Sequence, residues 1–87
     1  SPGFSNIECS KGPGYTLMTG TYTNNGKSDE IDFLQMSLLD KEGHVIATGN
    51  GMISHANAHE PTFFSAITRT DKDFASCTVQ IDNSISK

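Results

Sequence analysis

The side chains able to carry chemistry are few and widely spaced. Cys9 and Cys77 stand at opposite ends of the chain, too far apart for a redox CxxC pair or a zinc knuckle. A disulfide is the leading reading. Two buried thiols acting as small hydrophobes, or a metal or redox pair, are the alternatives. His55 and His59, with Glu60 adjacent, supply donors suited to zinc or copper. Four-apart histidines align only on a helix, however, and residues 54–60 show no helical pattern. Solvated loop histidines are the plainer reading, with a metal-binding or small-ligand loop as the alternative. Asp29, Glu30 and Asp32 form one acidic cluster, Asp71 and Asp73 another. Neither has the alternating frame of a calcium loop, so both read as solvated turn charge. No G-x-S-x-G elbow accompanies any serine, and the chain is expected to be non-catalytic and without a cofactor.

Aromatic residues raise a different possibility. Phe63 and Phe64 are adjacent, so in an extended strand they point to opposite faces. Phe33 is out of phase with the apolar set Leu34, Met36 and Leu38. At least one large ring should therefore lie outside the core, and Phe33, Phe63 and Phe64 become candidate docking residues for a protein partner.

These residues need strands to position them, because the apolar pattern repeats at period 2 far more often than at 3.6. Strands are expected over residues 5–10, 15–24, 31–40, 44–48, 63–68 and 74–82. Met18, Gly20 and Tyr22 share one face, and Ala75, Cys77, Val79 and Ile81 share another. Asn25-Gly26 marks a turn. Asp40-Lys41-Glu42-Gly43 marks a tight hairpin in which Asp40 caps its own turn. Gly49-Asn50-Gly51 is expected to break its strand at a bulge or bend. Residues 54–60 read as a loop, Pro61 as a strand start, and the ends, 1–4 and 83–87, as loosely held. Six or seven short strands divided by turns read as an all-β antiparallel sandwich, a single domain over 1–87 with its core at about 5–82.

The chain has 87 residues, a net charge of −4 and 18% charged residues. A domain this small buries only roughly 60–65% of the surface its unfolded form exposes, so a covalent staple has large leverage. Mild acidity without a basic patch argues against nucleic acid. No apolar run approaches the roughly 20 residues of a membrane span. The sequence begins at Ser1, which reads as a processed or excised piece whose signal, lipid attachment or anchor would lie outside it.

Gly20-Thr21-Tyr22-Thr23-Asn24-Asn25, then Met36-Ser37-Leu38-Leu39-Asp40, then the hairpin and apolar return Lys41-Glu42-Gly43-His44-Val45-Ile46, resemble the FxLYD domain. That family is a bacterial and archaeal extracytoplasmic immunoglobulin-like sandwich. The resemblance spans about residues 17–81. Met36 and Leu39 stand where the family has Phe and Tyr. The family's Pro-Gly pair is absent from the loop, with Asn57 expected to supply the left-handed residue. The resemblance implies no catalytic set. In an immunoglobulin-like sandwich the first and last strands can be neighbours, which would bring Cys9 and Cys77 together. Closing a loop of about 70 residues would stabilise by about 4 kcal/mol. The absence of Trp separates the chain from antibody-type domains, which pack one against their disulfide. The expected function is a secreted or cell-surface, non-catalytic module for protein–protein interaction or self-assembly.

Overall fold

The computed structural model describes residues 3–26 and 28–86, with the backbone alone described at His55 and Ser86. Six strands form: β1 (Phe4–Gly12), β2 (Tyr15–Thr23), β3 (Asp29–Leu39), β4 (Val45–Ala56), β5 (Pro61–Thr68) and β6 (Ser76–Ser86). All pair antiparallel in one curled sheet of order β1-β2-β5-β4-β3-β6. Curling brings the two end strands together. Cys9 of β1 and Cys77 of β6 are joined in a disulfide, with 6.7 Å between their Cα atoms. Beside it the Lys11 ammonium pairs with the Asp73 carboxylate, and the Gly14 amide donates to Asp71 Oδ2 at 3.1 Å.

Alternation explains the interior. Met18 and Tyr22 of β2, Leu34, Met36 and Leu38 of β3, Ile53 of β4, Phe64 and Ala66 of β5 and Val79 of β6 all face the core. Thr16 and Thr68 share that inner face because each hydroxyl has an acceptor, Thr16 at the Thr70 carbonyl and Thr68 at the Thr48 carbonyl, both at 2.8 Å. The β3–β4 turn forms as its residues dictate. Asp40 Oδ1 accepts from the amides of Glu42 (3.0 Å) and His44 (2.8 Å), while Gly43 takes the left-handed conformation at φ 84°.

Several expectations change. Gly49-Asn50-Gly51 does not break a strand, because β4 runs continuously from Val45 to Ala56. Here β5 crosses close to β4, pairing at Asn50↔Ile67 and Gly51↔Ala66. A side chain at Gly49 would overlap the Ile67 carbonyl oxygen, and a Cβ at Gly51 would lie 2.6 Å from that of Ser65. These glycines permit close backbone approach at the corner of the curl. Residues 54–56 accordingly belong to β4, and the loop is confined to residues 57–60. His59, at φ 64°, takes the left-handed position there in place of Asn57.

The chain ends are held more firmly than expected. Phe4 packs its ring against Tyr22 and Phe64, with centroids 4.9 and 5.5 Å apart, and the Thr23 amide donates to the Gly3 carbonyl at 2.8 Å. Residues 83–86 continue β6 along β3, whereas Phe74 and Ala75 precede that strand rather than open it. Ser1, Pro2 and Lys87 lie outside the described residues.

A bulge in β6 governs what that strand shows to the core. Leu34 pairs with Ile81, but the residue before it in β3, Phe33, pairs with Asn83. The extra residue reverses the inward–outward phase. Ser84, itself exposed, thus stands on the Asp32 side of the strand and reaches that carboxyl with its hydroxyl, while Asn83 and Ile85 turn away.

Candidate functional site

The outer surface of β3, β4 and β6 carries the most distinctive grouping of side chains. Phe33 lies directly across from Met52 on β4, and Ile31 across from Ile85 on β6. Phe33, Met52 and Ile85 remain 37%, 53% and 47% exposed. Around this apolar centre the outward positions are polar and uncharged: Gln35, Ser37, Asn50, Ser54, Thr78 and Gln80. The Gln80 amide donates to Gln35 Oε1 at 3.2 Å across the strands. Of the charged residues between Ile31 and Leu39, Thr48 and Ser54, and Ser76 and Ile85, Asp32 points inward and Asp82 sits in the β6 bulge. An apolar centre with an uncharged polar rim is the composition of a protein-docking surface.

The expected aromatic trio is split by this geometry. Phe64 is 6% exposed and belongs to the core, so it is not a docking residue. Phe63 is 88% exposed but stands on β5, which is not a neighbour of β3 in the sheet. It borders an open depression of about 320 Å³ with Asn6, Thr19, Gly20, Thr21 and Phe64. This hollow lies by the irregularity of β1, where the register shifts between Ser5 and Glu8 and Asn6 takes φ 55°. It is at the lower end of ligand-pocket sizes, and no titratable group lines it.

The 55–60 loop does not assemble as a metal site among the described residues. The His55 side chain lies outside them. His59 and Glu60 are exposed, and Glu60 Oε2 accepts from the Asn57 side chain at 3.2 Å. Among the described residues no group of three or more His, Cys, Asp or Glu side chains is placed to hold a metal ion.

The acidic clusters behave differently from one another. Asp71 and Asp73 are exposed and tie their loop to the β1–β2 hairpin. The Lys11 ammonium holds the Asp73 carboxyl below its usual value. Asp32, expected in solvated turn charge, is instead fully buried. It has the same strand parity as Leu34, Met36 and Leu38, and that phase was the signal that placed it inside. Ser84 Oγ donates to its Oδ1 at 2.5 Å, but Oδ2 has no hydrogen-bond partner. Burial foremost, and the nearby Asp29 carboxyl, push Asp32 above the ordinary carboxylate value, while the Ser84 bond opposes this. Tyr22 is also raised, first by burial and then by Asp32 and Asp29. Asp29 Oδ2 accepts from the buried Asn24 side chain at 3.3 Å. Asn24 also donates to the Ala56 carbonyl, and its Oδ1 receives the Gly26 amide at 2.9 Å. It thereby fixes the β2–β3 turn against the end of β4.

Compared with known proteins, the chain matches no family model, no curated protein and no solved structure.

Proposed function

We propose that this chain is a non-catalytic, extracytoplasmic immunoglobulin-like module that assembles with a second copy of itself through the outer face of β3, β4 and β6. The observation that carries the reading is the cluster of exposed Phe33, Met52 and Ile85 with half-buried Ile31, in a face whose outward positions are uncharged apart from Asp82 at the β6 bulge. Two copies of a chain with net charge −4 repel wherever charged surfaces meet, and an uncharged face escapes that penalty. Three strands about 4.8 Å apart, over about ten residues at about 3.3 Å each, present roughly 500 Å² per copy. A pair would bury roughly 1,000 Å², the lower bound for specific association, so the contact is weak and reversible.

The strand order supports an immunoglobulin-like sandwich. It divides into β1-β2-β5 and β4-β3-β6, joined through only two register pairs, as two packed three-stranded layers would be. The Asp40 turn after Met36-Ser37-Leu38-Leu39 fits the hairpin of the FxLYD resemblance. The Cys9–Cys77 disulfide is compatible with an oxidising, extracytoplasmic compartment.

A concentration series followed by methyl NMR tests the proposal. The Met52 and Ile85 signals are expected to shift together as the chain is concentrated, with neighbours of Phe63 unmoved. Shifts confined to the Phe63 depression, or none up to millimolar chain, would overturn it.

A further inference from the structure

We infer that Asp32 holds a proton in the folded chain, and that losing it loosens residues 83–86 of β6, the segment that carries Ile85 into the docking face.

Asp32 is fully buried, and its Oδ2 finds no donor. A buried acceptor left unpaired forfeits its hydration without replacement, and such atoms in folded proteins call for an explanation. The surroundings narrow it. Asp29 from its own strand is the titratable group that acts on Asp32, and Asp32 in turn acts on Tyr22 of β2. Ile53 faces it from β4, Phe64 and Ala66 are what β5 brings to the shared core, and β6 contributes the Ser84 hydroxyl. Among the described residues no basic side chain is paired with either carboxyl. The nearby Asp29 carboxyl raises Asp32 further, and an ionised carboxylate offers only acceptors. A proton on Asp32 turns one acceptor into a donor and removes the buried charge.

The consequence reaches β6 through the register. Asp29 lies opposite Ser86 and Asp32 opposite Ser84, so both carboxyls sit along the last residues of that strand. β6 is an end strand whose only ladder neighbour is β3, and the disulfide that ties it to β1 lies at its other end, at Cys77. When that proton passes to water, a buried negative charge is left behind residues 84–86, near the Asp29 carboxyl. Repulsion and renewed hydration favour opening of that segment, and Ile85 is displaced from its place beside Ile31. Docking, on the reading proposed above, would weaken with it.

The test is a carboxyl ¹³C NMR titration of the full chain with amide exchange read in parallel, in dilute solution and repeated on Phe33→Ser. Asp32 is expected to titrate above the ordinary aspartate value of 3.8. Exchange at Ser84 and Ile85 should quicken at least severalfold through that midpoint. Asp32→Asn, neutral at every pH, should abolish the pH response. If that variant does not fold, the wild-type titration still decides. Asp32 titrating at or below 3.8, exchange at 84–85 insensitive to pH, or protection restored at neutral pH by millimolar calcium would each overturn the inference, the last in favour of a cation between the carboxyls. Phe33→Ser removes docking and leaves the titration unchanged, so failure of the latch and failure of the docking face are separable.

Discussion

Phe63 and Phe64 show how one step along a strand separates two identical rings. Phe64 packs in the core against Phe4, and truncating it to Ala should cost about 3–5 kcal/mol. Phe63, almost wholly exposed, should change stability by less than about 0.5 kcal/mol when truncated. Thermal melts of the two alanine variants check the contrast. Asp32 obeys the same alternation, and there the phase of β3 overrode the polar character that suggested a solvated turn. Its raised value in the fold fixes the sign of a pH effect. The folded state holds the proton more tightly than the unfolded chain, so this contribution is complete below the ordinary aspartate value and is lost as pH rises through the raised one. The chain should melt at a higher temperature at pH 4 than at pH 7, and Asp32→Asn should raise the neutral-pH melting temperature toward the acid one. Asp73, lowered by Lys11, acts in the opposite sense and is lost as pH falls. Its exposed side chain makes that effect slight.

At the scale of the strands, most of the architecture was legible where one face was apolar and a turn was strongly marked. The inner sets of β2 and β3 and the Asp40–Gly43 turn follow directly from period and turn chemistry. Features that depend on a neighbouring strand were not legible. Gly49 and Gly51 resemble a break until β5 is seen to cross them, and the β6 bulge that turns Ser84 toward Asp32 has no local marker in Asp82-Asn83. The proposed docking face was half legible, because Phe33 was visibly out of phase, whereas its pairing with Met52 and Ile31's with Ile85 needed the β3–β4 and β3–β6 registers. Close approach at the crossing makes a definite prediction. Gly49→Ala would drive its methyl into the Ile67 carbonyl and should destabilise by about 2 kcal/mol or more. Gly14→Ala, with no atom within 4 Å of its Cβ position but a φ of 76°, should cost only about 1 kcal/mol from backbone strain. Urea denaturation of both variants separates crowding from strain.

For the molecule as a whole, the disulfide matters because curling leaves the end strands β1 and β6 without a shared ladder. Replacing both cysteines by Ser should remove about 4 kcal/mol. At about 4–8 °C per kcal/mol for a domain of this size, the melting temperature should fall by roughly 15–30 °C. A fall of only a few degrees would mean that strand packing alone holds the curl. Charge is distributed with equal consequence. Apart from Glu8 and Lys11 of β1 and Asp82 at the β6 bulge, it gathers in the turns and at one end of β3, leaving the centre of the β3–β4–β6 surface without charge in an otherwise acidic chain. The central claim is that two copies meet on that surface. Sedimentation equilibrium of the wild-type chain beside Phe33→Ser, Met52→Ser and Phe63→Ser tests it most directly. A reversible monomer–dimer equilibrium in wild type and Phe63→Ser, lost in the other two, is the predicted result. A wild-type chain that stays monomeric to millimolar concentration, or a dimer that survives Phe33→Ser, would contradict it.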